Sequence, residues 1–163
     1  MNRLFISGVF SLVLLDLFVK YAIEFFGWGI KPTSITHFLM ISKTYNKGLL
    51  FGIAHSDDLL INYSIIFLMT LVILALIFYI CKLLDSSNNL SRLSKISWML
   101  LLGGGIANYV DRIIDNKVTD YVILHYDEIY FPGIFNIADI FISVAFFILI
   151  IDILISNEKE NTL

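Results

Sequence analysis

The residues best suited to chemistry in this chain are carboxylates and amides set in or beside long apolar runs. Asn136 and Asp139 are spaced three apart and so share one face of a helix. Asp120 lies 19 residues before Asp139, only a few residues after the third apolar segment. Gly104, Asn108 and Arg112 recur at every fourth position, again one helix face, with Asp111 beside Arg112 as its candidate salt-bridge partner. Nearer the N-terminus, Asp16 and Lys20 have the spacing of a helical ion pair. An ionisable group at membrane depth costs roughly 2.5–3.5 kcal/mol on insertion scales, so it usually faces a bundle interior. Two carboxylates in one low-dielectric pocket cannot both ionise and instead share a proton. The ionised one then acts as a general base toward water, and the protonated one as a general acid toward a carbonyl oxygen. Each of these residues also has a plainer reading. Asp139 is an anion favoured at a helix N-terminus, Asp16 and Lys20 neutralise each other at the interface, and Asn108 and Arg112 are the polar end of a packing stripe.

The elements that must carry these residues are membrane helices. The chain has 163 residues, 58% hydrophobic and 15% charged, with a mean hydropathy of +0.85; soluble domains carry about 25% charged residues. About 20 apolar residues span a bilayer, and four such segments are visible, at about 4–26, 59–84, 96–114 and 135–155. The first has Arg3 before an apolar stretch, as a signal peptide does, but Asp16 and Lys20 interrupt it, which predicts a retained helix. The second has no charge from Leu59 to Cys81. The third and fourth have polar ends, and Gly103-Gly104-Gly105 inside the third predicts close helix packing. The outer loops, 27–58 and 115–134, are not featureless. The run from His37 to Tyr45 reads as a strand followed by turn chemistry at Asn46-x-Gly48, and Val118 to Phe131 reads as a hairpin turning at His125 to Glu128. The expected architecture is one domain over 1–163: an all-α membrane protein of four transmembrane helices with a small extracytoplasmic β-sheet.

Charge and cysteine usage exclude several functions. Eleven Lys and Arg against 14 Asp and Glu give a net charge of −3 and no basic surface for nucleic acid. The single cysteine, Cys81, rules out a disulfide framework. His37, His55 and His125 have no metal-ligand spacing, so neither metal nor cofactor is expected. With four spans, Arg3, Lys82, Arg92, Lys95 and Lys159 fall on one side and Lys31, Lys43, Lys47 and Lys117 on the other. That bias places the termini in the cytoplasm. Asp152, near the inner end of the fourth segment, reads as interfacial. A non-enzyme, transporter or scaffold, would also explain buried carboxylates.

Taken in order, the pieces are Asp16-x-x-x-Lys20, Asn46-x-Gly48 with Phe51-Gly52, Gly104-x-x-x-Asn108-x-x-Asp111-Arg112, Val118-x-Asp120-Tyr121 and Phe135-Asn136-x-Ala138-Asp139. This set resembles the lipoprotein signal peptidase (type II signal peptidase) family of bacteria, from residue 16 to 139. The resemblance implies an aspartyl endopeptidase of the inner membrane, multi-pass, with cytoplasmic termini and sensitive to globomycin; a monomer without a cofactor is expected. Its partners would be membrane lipid and prolipoproteins, whose signal peptides it would cut before the diacylglyceryl-modified cysteine. By the same resemblance Asp120 and Asp139 fall on the catalytic aspartates. Asn108, Arg112 and Asn136 fall on polar residues around them, Asp16 and Lys20 on a first-helix motif, and Asn46, followed by Gly48, on an outer-loop asparagine. The chain departs from the family pattern at Leu49-Leu50, where two Ala are usual, and at Ala107 and Asn116, where Gly is usual. Asn is the next-best residue at positive φ, so Asn116 is the mildest of these changes. Both aspartates are present, which speaks against an inactive homologue.

Overall fold

The computed structural model describes residues 3–48, 57–86 and 90–160. Phe51, Gly52, His55 and the Leu49-Leu50 departure lie outside them. Four helices, α1 (Arg3–Phe25), α2 (Leu59–Ser86), α3 (Arg92–Asp115) and α4 (Ile137–Glu160), accompany four strands, β1 (Thr33–Ser34), β2 (Leu39–Asn46), β3 (Val118–Tyr126) and β4 (Ile129–Phe135). Three of the helices are long and apolar enough to cross a bilayer: Arg3–Phe25, Leu59–Leu84 and Ile137–Ser156.

The helices expose apolar side chains, and several polar residues lie buried among them. Phe10, Phe67, Phe78 and Phe147 are all exposed, while Asp16, Ser97 and Asn136 are buried. So much exposed apolar surface suits lipid rather than water as the solvent. Helix α3 is the least apolar, and it packs against α1, α2 and α4. Its buried face is Ser97, Leu102, Gly103, Gly104, Ala107, Asn108 and Arg112. A helix enclosed by three others needs less lipid-facing apolar surface, and small residues let it approach them. At Gly104 an added Cβ would lie 2.5 Å from the Ala138 carbonyl oxygen of α4. Gly103 meets Leu12 of α1, but nothing lies within 4 Å of a Cβ at Gly105, so two of the three glycines serve close packing.

Local signals explain the ends of α3. It begins four residues before the first apolar turn, because the Ser91 hydroxyl accepts the Ser94 backbone N–H at 2.9 Å as an N-cap. It ends at Asn116, which adopts φ 55°, ψ 21° and returns its N–H to the Arg112 carbonyl, as left-handed C-cap positions do. Near the C-terminal end of α4, Asp152 accepts hydrogen bonds from the Ser91 and Ser94 hydroxyls and so ties α4 to the start of α3.

The strands form one small antiparallel sheet, as expected, in the order β1-β2-β3-β4. Strand β2 pairs along β3, with Thr44 opposite Asp120 and Asn46 opposite Val118. The β3–β4 hairpin is tighter than expected, with Tyr126 opposite Ile129 and Asp127 at φ 49° in the turn. The core has two parts. Phe5, Val9, Val13, Ile80, Leu102, Ala107 and Ala138 hold the helices together. A smaller cluster of Ile23, Tyr121 and Val122 joins the end of α1 to the sheet.

Candidate active site

Five elements, β2 among them, converge where β3 and the start of α4 meet the C-terminal ends of α1 and α3. Asn136 is the residue just before α4, and it makes a reciprocal cap with Asp139. The Asp139 backbone N–H donates to Asn136 Oδ1 at 2.9 Å, and the Asn136 N–H donates to Asp139 Oδ2 at 3.2 Å. This is the capping-box arrangement built from Asn and Asp. The cap fixes the Asp139 carboxylate, whose other oxygen accepts from Asn108 Nδ2 of α3 at 2.8 Å.

The Asn136 amide then reaches the second carboxylate. Its Nδ2 donates to Asp120 Oδ1 at 2.6 Å and to Asn108 Oδ1 at 3.1 Å. Asp120 Oδ2 accepts from Asn46 Nδ2 at 3.2 Å. Asn46 is held in turn by an Asx turn, its Oδ1 accepting the Gly48 N–H at 2.9 Å. Asp120 and Asp139 are thus linked through one asparagine, each with its own further amide donor. Asp120 is only 3% exposed. Burial first, then repulsion from Asp139, pushes its pKa from 3.8 up to about 6, against the opposing pull of the Asn136 and Asn46 amides.

Helix α1 supplies the cation behind this site. Lys20 Nζ lies 2.6 Å from Asp16 Oδ2, 2.9 Å from Asp111 Oδ2 and 2.9 Å from Asn108 Oδ1, so its three protons have three partners. Asp16 Oδ1 accepts the Ala138 N–H at 2.9 Å and thereby joins α1 to the first turn of α4. Both Asp16 and Lys20 are buried, so the pair does not reach outward to the interface. One sequence expectation is corrected. Asp111 pairs with Lys20 and accepts the Thr119 N–H, whereas Arg112 donates to the Gly48 carbonyl oxygen at 2.5 Å. Consecutive helix residues point about 100° apart, which carries Asp111 toward α1 and Arg112 toward the loop after β2. The structure therefore gathers Asp16, Lys20, Asn46, Gly48, Asn108, Arg112, Asp120, Asn136 and Asp139 into one network. Arg112 Nε is buried without a hydrogen-bond partner.

Sequence reasoning did not single out the group at the outer edge of this network. Glu24 of α1 accepts from Tyr45 Oη at 2.7 Å and pairs with Lys43 Nζ at 3.0 Å. Only the four-residue step from Lys20 to Glu24 could have signalled it.

A family model for signal peptidase (SPase) II matches residues 9–155. The chain belongs to the signal peptidase II family. A lipoprotein signal peptidase of Pelagibacter ubique is 36% identical over 128 residues, covering 78% of this chain and 72% of the relative. One from Maridesulfovibrio salexigens is 30% identical over 154 residues, covering 93% and 96%. The fold is also similar to that of a bacterial membrane enzyme solved by the in meso method at 2.3 Å, with TM-score 0.74 and 25% identity over 95% of this chain and 90% of the other. The matched span, residues 9–155 of this chain, includes every residue of the network described above.

Proposed function

We propose that this chain is an aspartyl endopeptidase that removes signal peptides from prolipoproteins, with Asp120 and Asp139 as its catalytic pair. Membership of the signal peptidase II family supports the substrate class. The observation that carries the aspartyl reading is the convergence of two carboxylates from separate elements on Asn136, whose side-chain amide donates to Asp120 and whose backbone N–H donates to Asp139. The ionised member of the pair removes a proton from water as the water oxygen bonds to the scissile carbonyl carbon. The protonated member donates to the carbonyl oxygen, giving a neutral tetrahedral diol. Collapse of that diol breaks the C–N bond as the amine nitrogen takes up the proton held by the first carboxyl, while the second carboxylate takes the proton of one diol hydroxyl as the C=O re-forms, which restores the pair. Asn136, Asn108 and Asn46 orient the carboxylates by donating to them, and Lys20 offsets the negative charge gathered by Asp16, Asp111 and the pair.

The same reading makes all four helices membrane spans, as one domain with cytoplasmic termini and the sheet on the outer face of a bacterial inner membrane. Helix α3 spans as the enclosed member of the bundle. The scissile bond lies just before the diacylglyceryl-modified cysteine, whose acyl chains hold it at a fixed depth and lower the entropic cost of alignment. The enzyme acts as a monomer, without metal or cofactor, and is inhibited by globomycin. Cleavage of a diacylated prolipoprotein in detergent by wild type and by Asp139→Asn tests the reading. Turnover by wild type alone supports it, and equal turnover refutes it.

A further inference from the structure

Asp16, Lys20 and Glu24 stand at successive four-residue steps along one stripe of α1, and each reaches a different element. Asp16 holds the backbone of Ala138 in α4. Lys20 holds Asp111 and Asn108 in α3. Glu24 holds Lys43 and Tyr45 in β2. This matters because the two carboxylates do not share a rigid element: Asp139 is fixed on α4, while Asp120 is carried by the sheet. Their separation depends on how the sheet is docked on the bundle.

The Glu24 contacts fall on the part of the sheet that matters for this. Lys43 and Tyr45 flank Thr44, the register partner of Asp120. Tyr45 also directly precedes Asn46, which donates to Asp120 Oδ2. Strand β2 is irregular between Ile41 and Thr44, so the ladder alone does not fix Lys43 there. A second tether supplies this. The Lys43 N–H donates to the Gly29 carbonyl at 2.9 Å, just beyond α1. Gly29 adopts φ +77°, and a Cβ there would come within 2.6 Å of the Lys43 nitrogen. Lys117, at the base of β3, adds its ammonium 3.6 Å from the Tyr45 ring centroid. The Lys43 side chain is 13% exposed and that of Glu24 41%, so the pair is shielded from water on the Lys43 side only.

We infer that Glu24 is a positioning residue: through Lys43 and Tyr45 it sets the distance of Asp120 from Asp139. This rests on the catalytic pair proposed above. Glu24 touches neither carboxylate; it acts through β2. The titratable and charged groups facing the pair are Asp16 and Lys20 from α1, Asp111 and Arg112 from α3 and Tyr121 from β3, whereas Glu24 pairs with Lys43 and Tyr45.

The test is steady-state cleavage of a diacylated prolipoprotein across pH by wild type, Glu24→Ala, Glu24→Gln, Tyr45→Phe and Asp139→Asn. A shift of about 1 Å at a catalytic group costs up to a hundredfold in rate, so Glu24→Ala should lose about tenfold or more in kcat with KM within about twofold of wild type. The two apparent pKa values bounding the bell of kcat against pH should also draw together, because their separation measures the coupling within the pair. Glu24→Gln should recover part of the rate, since its amide oxygen still accepts from Tyr45. Tyr45→Phe, a milder change that keeps the ring, should narrow the bell less. Unchanged kcat and bell width in Glu24→Ala, or an effect confined to KM or thermal stability, would overturn the positioning role. If Asp139→Asn is inactive in the same series, such a result leaves the catalytic pair standing. If Asp139→Asn turns over normally, the pair fails and the role of Glu24 with it.

Discussion

Replacing Asp120 by Asn should stabilise the protein at neutral pH and not at acid pH. A carboxyl that titrates near 6 in the folded state and at 3.8 when unfolded binds its proton more tightly when folded. Stability is therefore lost as pH rises from about 3.8 through about 6, and the loss persists above. At about 1.36 kcal/mol per tenfold change in proton affinity, the cost near pH 7.5 is about 3 kcal/mol. Asn carries no charge and avoids it. The offset comes from the two amides that donate to Asp120, Asn136 Nδ2 and Asn46 Nδ2. An Asn side chain has one acceptor oxygen, so one of those donors meets an NH2 group and a hydrogen bond worth about 1 kcal/mol is lost. The net gain is about 2 kcal/mol at pH 7.5, or about 4–8 °C in Tm for a chain of this size. At pH 4 only the lost hydrogen bond remains, and the variant should be equal to or slightly below wild type. Differential scanning fluorimetry of both proteins in detergent at the two pH values measures this. An Asn variant with the same Tm difference at both, or destabilised at pH 7.5, would show that the buried carboxyl is not under the strain argued here.

Three further outcomes follow from the fold. Gly104→Leu should destabilise strongly, by about 3 kcal/mol or more, because even a Cβ lies 2.5 Å from the Ala138 carbonyl oxygen, whereas Gly105→Ala, which meets nothing within 4 Å, should be neutral or stabilising by a few tenths; thermal melts of the two decide. Precursor carrying the diacylglyceryl group should be cut at least about tenfold faster than unmodified precursor, an alignment effect, and equal rates in a gel-shift assay would remove the lipid from recognition. Single cysteines at Asn46 and Asp127, in a Cys81→Ser background, should react with impermeant reagent from outside the cell and one at Asn88 only from inside; labelling of Asn46 and Asn88 from the same side would end the four-span topology.

Much of the fold was legible because membrane helices announce themselves by length and apolarity, which need no knowledge of partners. The left-handed C-cap at Asn116 and the turn at Asp127 were legible for a local reason too, since Asn and Asp tolerate positive φ. What the sequence concealed is long-range. Adjacency suggested Asp111 for Arg112, but helix geometry sends the two apart, and Lys20, far away along the chain, takes the carboxylate. One small sheet was expected from the two strand-like segments, but the pairing of β2 with β3 and its register, with Thr44 opposite Asp120, join segments separated by α2 and α3 and have no periodicity to report them. Helix α3 reads as marginal because its polar residues face inward to Lys20, Asp139 and Gly48 rather than to lipid. Glu24 went unnoticed because an acidic residue at the end of an apolar segment looks interfacial until Lys43 and Tyr45 are folded onto it.

The central claim is that Asp120 and Asp139 act as one catalytic unit, and the kinetics of Asp120→Asn, Asp139→Asn and the double variant test it most directly. Asp127→Asn serves as the control, since that carboxylate sits in the exposed hairpin turn at a φ that Asn also accepts. On diacylated prolipoprotein, each single variant should lose at least about a thousandfold in kcat, and the double variant should be little worse, because residues that act together are not additive. Either single variant, folded and inserted, cleaving at near the wild-type rate would contradict the account, as would a double variant whose loss is the product of the two.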